Sequence, residues 1–328
     1  MKVLSLFDGI SCARVALERA GINVEEYYSS EVDKYAIQIS QKNYPDIRRV
    51  GTVVGLTNKP HFPACPVLIE RHYNFGEIDL LIGGSPCQDL SIAKANRKGL
   101  EGNKSNLFYE YLRILNELKP KYFILENVAS MSKESRDKIS HMLGVQPTVI
   151  NASLVSAQNR KRLFWVGIYS QLDDKYYTVA IPQPEDRNII LKDIIESGEV
   201  DRDKSYCIDA SYYKGANWKQ YKEKGRRQLV IATLDEGTWA KRYEQIRRVY
   251  STDGLAPTIP TAQGGGVMPK IFTGESIRKL TPIECERLQG LPDNYTEGVS
   301  NTQRYKCLGN AFNVDVVTHI LKHLTNKG

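Results

Sequence analysis

The sequence has no apolar run long enough to cross a bilayer, no internal repeat and no low-complexity tail. Its first residues, Met1-Lys2-Val3-Leu4-Ser5-Leu6-Phe7, are too few for a secretory signal and run into a glycine turn, so the expected location is the cytoplasm. Cysteine is sparse: Cys12, Cys65, Cys87, Cys207, Cys285 and Cys307 are scattered without paired spacing, which argues against a disulfide framework. The nearest approach to a metal pattern, His61, Cys65 and His72 across a proline-rich stretch, fits no standard zinc spacing and reads as a loop insertion, so no metal is expected. The glycine-rich fingerprint of a dinucleotide site is also lacking, because Ser11 and Cys12 stand where further glycines would follow Gly9. That disfavours a ligand carrying a pyrophosphate.

What is present is a 328-residue chain with 41% hydrophobic and 25% charged residues, enough for one large domain or two smaller ones. Its first half alternates short apolar runs with helical patterns. Val3–Phe7, Tyr27–Ser30, Ile78–Gly83 and Tyr122–Glu126 read as buried strands. Cys12–Ala20, Asp33–Asn43 and Asn106–Leu118 read as the helices between them. The alternation predicts an α/β fold with a parallel sheet covered on both faces, which Leu163–Ile168 continues. After about residue 185 the alternation is lost and Gly, Pro, Lys and Tyr rise. A helical pattern returns at Thr281 with Pro282 in its first turn, and Phe312–Leu324 reads as a terminal amphipathic helix.

The net charge of +7 is unevenly placed. Between Tyr212 and Arg248 ten Lys/Arg face four acids, interleaved with Tyr212, Tyr213, Trp218, Tyr221, Trp239 and Tyr243. Such a mixture suits phosphate and base contacts, and equally suits a solvated helix face.

Three segments carry the chemistry. Pro86-Cys87 in Leu81-Ile82-Gly83-Gly84-Ser85-Pro86-Cys87-Gln88 puts a thiol on a short turn straight after a strand, where α/β enzymes place reactive groups. Leu125-Glu126-Asn127-Val128 follows a second buried strand, and Gln158-Asn159-Arg160-Lys161-Arg162 supplies two arginines. Near the amino terminus, Phe7-Asp8-Gly9-Ile10 forms a strand-to-helix turn whose N–H groups can meet a negative ligand group. Glu31, about twenty residues on, ends the second strand where an acid can accept ribose hydroxyls. S-adenosylmethionine is a nucleoside ligand without a pyrophosphate and suits such a turn. Singly, each piece has an ordinary alternative: an inert Cys87, a capping Glu126, surface arginines.

In this order and spacing, Phe7-Asp8-Gly9, Glu31, Pro86-Cys87-Gln88, Glu126-Asn127-Val128, Gln158-x-Arg160-x-Arg162 and Gly309-Asn310 resemble the DNA (cytosine-5)-methyltransferases. Arg278-Lys279-Leu280-Thr281-Pro282, Leu288-Gln289-Gly290-Leu291-Pro292, Arg248-Val249-Tyr250-Ser251-Thr252 and Pro257-Thr258-Ile259 extend the likeness over nearly the whole chain. Asp8, Ser85 and the short link from Val128 to Gln158 are similar to animal de novo catalytic domains, and the lack of an N-terminal regulatory extension to bacterial or phage enzymes.

The resemblance implies a Rossmann-like methyltransferase sheet with a smaller target-recognition domain. Its divisions would be residues 1–185, completed by 305–328, for catalysis, 186–275 for target recognition and 276–304 as a hinge. It also implies S-adenosylmethionine as methyl donor, S-adenosylhomocysteine as product, and a flipped-out cytosine in a specific duplex sequence as substrate. The Cys87 thiolate would add to carbon 6, Glu126 would meet the N3 and exocyclic-amine edge, Arg162 would hold O2, and Arg160 would support Cys87. Phe7, Asp8, Gly9, Ile10, Glu31, Val32, Pro86, Leu107, Asn310 and Ala311 would surround the cofactor. Lys94, Arg97 and Lys98, with Lys104, in the closing loop Gln88–Asn106 would meet phosphates. Gln245, Arg248, Thr258, Gly264, Gly265 and Gly266 would meet DNA.

Two departures stand out. Gly51-Thr52-Val53 has no acid where the family usually contacts the adenine amine, and Ala311-Phe312 replaces a small polar residue and valine. The stretch from about Leu56 to Glu77 has no family counterpart. The alternatives are a transfer-RNA cytosine-5 methyltransferase and a catalytically inactive DNA-binding regulatory subunit. A monomer is expected, free of membranes, in a bacterial or phage-infected cell, with a cognate restriction endonuclease as a candidate partner.

Overall fold

A computed structural model of the chain describes residues 1–58, 71–85, 107–214, 221, 227–233, 249–250, 270–271 and 275–325. In chain order, β1 (Lys2–Leu6), α1 (Cys12–Arg19), β2 (Glu26–Ser30), α2 (Lys34–Asn43) and β3 (Arg48–Gly51) form the first unit. A short parallel pair, β4 (Leu56–Thr57) and β5 (Arg71–His72), precedes β6 (Leu80–Gly83). Then come α3 (Leu107–Leu118), β7 (Tyr122–Val128), α4 (Lys133–Leu143), β8 (Pro147–Asn151), β9 (Lys161–Ser170) and β10 (Lys175–Thr178). The described remainder holds α5 (Leu191–Ile194), β11 (Leu229–Thr233), β12 (Val249–Tyr250), β13 (Lys270–Ile271), β14 (Glu275–Lys279), α6 (Pro282–Leu288), α7 (Asn301–Asn310) and α8 (Val314–Thr325).

Eight strands make the central sheet, in the order β10-β9-β7-β6-β1-β2-β3, with β8 also paired to β9. The strands from β7 across to β3 are parallel. The expectation of a parallel sheet fails beyond β7, because β9 runs antiparallel to it and both β8 and β10 run antiparallel to β9. Connection length is the reason. Residues 152–160 between β8 and β9, and 171–174 between β9 and β10, are too few for the crossover a parallel pair requires.

Side chains of the central strands alternate between two apolar layers. Val3, Leu80, Ile82, Tyr122 and Ile124 face the layer built with α1, α2 and α8. Leu4, Leu6, Leu81, Phe123 and Leu125 face the layer built with α3 and α4. Apolar residues at consecutive positions are what burial on both faces demands. The stretch after Leu56 is not all surface loop: Leu56 and Phe75 are buried, and Phe75 packs edge-on against Tyr28 at 4.9 Å between ring centroids. His61 and Cys65 lie outside the described residues.

Helix starts follow local chemistry. Asp33 caps α2, accepting from Tyr35 N at 3.0 Å. At α6, Thr281 accepts from Glu284 N at 3.2 Å while the Glu284 carboxylate accepts from Thr281 N at 2.7 Å, with Pro282 in the first turn. The last helix begins at Val314, two residues later than the pattern of Phe312–Leu324 implied, because the Asn313 side chain accepts from Val316 N at 3.1 Å. Among the described residues no helix is long and apolar enough to cross a membrane.

Candidate active site

Strand order reverses at β1, which has β2 on one side and β6 on the other. A crevice opens beyond the carboxyl ends of strands at such a reversal, and the candidate site lies there. The turn leaving β1 is unusual: Phe7, Gly9 and Ser11 all have φ near +60°. Glycine adopts that region freely, whereas Phe7 and Ser11 are held in it by their surroundings. The buried Asp8 carboxylate does much of the holding. It accepts from Tyr27 Oη at 2.6 Å, Ser11 Oγ at 2.5 Å and Ser29 Oγ at 2.8 Å, while Asp8 N donates to Ser30 O at 3.1 Å. Burial, then the Asp8 charge, pushes the Tyr27 phenol well above its ordinary range.

Glu31 closes the same turn from β2. Its carboxylate accepts from Gly9 N at 2.8 Å, Val32 N at 2.7 Å and Asp33 N at 2.8 Å. Three backbone N–H groups therefore fix its orientation and leave it acceptor capacity toward the cleft.

That cleft encloses about 320 Å³, the size of a small-molecule site. Of the residues expected around a cofactor, Phe7, Gly9, Ile10, Glu31 and Val32 line one end, with Leu107 and Asn310 beside them. Asp8 and Ala311 do not line it. Asp8 is turned inward to brace the turn, and Ala311 is buried with its carbonyl accepting from Arg160 at 2.8 Å. Pro86 lies outside the described residues. Sequence reasoning missed Ser30, Asp33 and Lys306, which also line the cleft. The Lys306 ammonium pairs with Asp33 at 2.6 Å across its rim. Asp33 had a signal as a helix-start residue, and Lys306 had none. Thr52 lines the cleft as well.

The other end is built by β7 and β9. Their antiparallel register sets Val128 opposite Arg162 and Glu126 opposite Phe164, so Glu126 and Arg162 are diagonal neighbours on one face. Arg162 Nε donates to Glu126 Oε1 at 2.8 Å, and both side chains are mostly buried. Behind them, Arg160 is only 4% exposed. Its guanidinium donates to the carbonyls of Ile208 at 3.2 Å, Gly309 at 3.3 Å and Ala311 at 2.8 Å. Burial, then the neighbouring Arg162 charge, draws Arg160 below the usual arginine range. Gly84 and Ser85, at the end of β6, line the cleft beside this pair. Asn127 Nδ2 donates to the buried Ser85 Oγ at 3.3 Å.

Cys87 follows two residues after Ser85 and lies outside the described residues. So do Lys94, Arg97, Lys98, Lys104, Gln245, Arg248, Thr258, Gly264, Gly265 and Gly266. Of the described thiols, burial pushes those of Cys12 and Cys285 up, and that of Cys307 up to about 12. These suit packing rather than reaction. Cys207 is partly exposed and touches the arginine pair.

Comparison with known proteins fits this geometry. The chain is 28% identical over 335 residues to the "Type II methyltransferase M.HhaI" of Haemophilus parahaemolyticus, covering 98% of this chain and 93% of that one. It is 24% identical to the "Orphan methyltransferase M.SPRI" of Bacillus phage SPR, covering 99% and 97%. Among solved structures, the Entamoeba histolytica methyltransferase EhMeth shares the fold with a TM-score of 0.64 at 17% identity, covering 100% and 98%. The S. pombe Dnmt2 methyltransferase does so at 0.60 and 17%, covering 100% and 99%. The family model described as C-5 cytosine-specific DNA methylase matches residues 1–326. The chain belongs to the C-5 cytosine-specific DNA methylase family, whose model spans nearly its whole length.

Proposed function

We propose that this methyltransferase modifies a flipped-out cytosine within a specific duplex sequence, with Cys87 as nucleophile. The observation that carries the reading is the Glu126–Arg162 pair at 2.8 Å, set at one end of a cleft whose other end holds Glu31. A base and a nucleoside cofactor could occupy the two ends together.

The residues present fit S-adenosylmethionine, the donor the family uses. Glu31 offers a fixed carboxylate to ribose hydroxyls, Val32 and Ile10 offer apolar surface to an adenine, and the volume suits a nucleoside. When bound, S-adenosylmethionine supplies an electrophilic methyl group.

The protein's part is to activate the ring. Carbon 5 of cytosine is a weak nucleophile. Addition of the Cys87 thiolate forms a sulfur–carbon 6 bond and moves an electron pair toward carbon 5. Glu126 holds the N3 and exocyclic-amine edge, where the charge changes during addition, and Arg162 holds O2. Arg160, fixed on three carbonyls, backs both. After methylation, loss of the carbon 5 proton returns electrons to the ring and expels the thiolate, which restores aromaticity.

Residues 1–185 with 305–328 form the catalytic part in this reading, 186–275 the target-recognition part and 276–304 the hinge. The loop Gln88–Asn106 closes on the substrate, with Lys94, Arg97 and Lys98 on phosphates. Gln245, Arg248, Thr258 and Gly264–Gly266 meet the DNA. The enzyme works as a monomer in the cytoplasm. Its type II relatives point to a cognate restriction endonuclease as partner, and its phage relative to an orphan enzyme.

The test is bisulfite sequencing of genomic DNA from a methylation-free host expressing the chain or its Cys87→Ala variant. Protected cytosines in one short motif, absent with the variant, establish the reaction and the site. An unmodified genome despite folded protein would overturn the duplex-DNA reading in favour of an RNA substrate or a regulatory subunit.

A further inference from the structure

Cys207 has no motif around it and no role in the chemistry above, yet its sulfur touches both active-site arginines. Arg160 Nη1 donates to Cys207 Sγ at 3.4 Å and Arg162 Nη2 lies 4.0 Å from it. The guanidiniums are like charges, and Arg162 already weakens the charged form of Arg160. A polarisable sulfur between them accepts from both where a carboxylate would pull Arg162 away from Glu126. The segment that carries it is tightly placed. Ile208 N donates to Gln158 Oε1 at 3.3 Å, Ser205 N to Ala157 O at 2.8 Å, and Asn159 N to Ser205 O at 3.1 Å. A methyl group at Gly309 would run into the backbone of Asp209 and Ala210. The sulfur is therefore held from both flanks. Arg160 Nε is buried without a hydrogen-bond partner among the described residues, so the Nη contacts, Cys207 included, set how that guanidinium is turned.

We propose that Cys207 is a positioning residue. Its sulfur acts as a shared acceptor that fixes Arg160 and Arg162 side by side, so that Arg162 presents one edge to Glu126 and another to the cytosine. The proposal rests on the reading of Arg162 as the group that holds O2. It separates Cys207 from the nucleophile: its variants should alter turnover without abolishing it, whereas Cys87 variants abolish it.

The experiment is steady-state kinetics of the full chain on duplex DNA carrying its recognition motif, for Cys207→Val, Cys207→Ser, Arg162→Ala and the Cys207→Val/Arg162→Ala pair, each checked by thermal melting. Loss of a hydrogen bond to a charged group predicts a fall in kcat of about tenfold for Cys207→Val, with KM for S-adenosylmethionine within about twofold. Cys207→Ser, which keeps an acceptor, should recover most of the loss. In the Arg162→Ala background, Cys207→Val should cost clearly less than it does alone, because only the Arg160 contact remains to be lost. An unchanged kcat for Cys207→Val, equal losses for Val and Ser, or additive losses in the pair would each overturn the proposal. Full activity of Arg162→Ala would instead overturn the underlying assignment of Arg162, and the role of Cys207 with it.

Discussion

Arg162 Nε donates to Glu126 Oε1 at 2.8 Å across two antiparallel strands, so the acid and the cation of the site hold one another before any base arrives. Each orients the other, and neither is left buried and alone. Replacing Glu126 by Gln keeps the shape and removes the charge. The expected result is a fall in kcat of about a hundredfold or more, the range typical of a lost acid–base group, with cofactor affinity unchanged. Single-turnover methyl transfer together with calorimetric titration of S-adenosylmethionine would show both. Unchanged turnover would contradict the role of Glu126.

Gly84 follows the last residue of β6 and packs against this pair. A Cβ there would lie 2.8 Å from Phe312 Cε1 and 3.0 Å from Glu126 Oε2. Gly84→Ala should therefore cost about 1–3 kcal/mol of stability through overpacking and lower turnover by displacing Glu126. Pairing it with Phe312→Val makes room, so the double variant should regain much of both. Urea unfolding read beside activity tests this. Additive losses would contradict the steric account.

At the opposite end of the cleft, Glu31 spends its carboxylate on three backbone N–H groups and faces the ligand space. At a cofactor concentration about a hundred times Kd, binding should stabilise the wild type by about 2.7 kcal/mol. Glu31→Ala should lose most of that gain, and thermal melting with and without S-adenosylmethionine would measure it. A full ligand-induced shift in the variant would place the ribose elsewhere.

The Asp33–Lys306 pair predicts a pH dependence. Partial burial pushes the Asp33 carboxyl up, but the Lys306 contact and the Tyr35 and Ala36 amides outweigh it, and the group sits below its ordinary range. Its contribution is thus present above the unfolded carboxyl value and fades as pH falls through the lower folded value. The Asp33 contact raises Lys306. That contribution is present below the unfolded lysine value and fades as pH rises through the higher folded one. Between about pH 4 and 10, Asp33→Ala should destabilise the chain by about 1 kcal/mol through the lost helix cap. The difference should shrink in acid. A difference constant down to pH 2 would contradict it.

The parallel core was readable because Leu80–Gly83 and Tyr122–Leu125 are continuous apolar runs and Val3–Leu6 is broken only by the small, buried Ser5, which burial on both faces explains. The antiparallel edge was not. Pro147–Asn151 is mostly half-buried and shows no clean alternation, and the direction of Leu163–Ile168 depends on connection length rather than on its own residues. Within the site, Glu31, Glu126, Arg160 and Arg162 were legible as types at a spacing. The inward turn of the Asp8 side chain was not legible, because sequence cannot tell which way a side chain points from a strained turn. Lys306 and Cys207 were invisible because their partners lie far away in the chain. Gly309 shows a gap of another kind: the motif was visible, but its reason, the Asp209–Ala210 backbone pressed against it, needed the fold.

The grip of Arg160 on Ile208, Gly309 and Ala311 has a consequence for synthesis. Helix α8 also ties the last residues to the first, through Arg19 and Asp315 at 2.9 Å and Thr318 donating to Ala16 O at 3.4 Å. A nascent chain paused on the ribosome with residues 1–300 exposed has its cysteine, acid and arginines, and of the three carbonyls that hold Arg160 it has only that of Ile208. A product cut short before Gly309 should therefore hold Arg160 at one carbonyl alone and leave the arginine pair poorly placed.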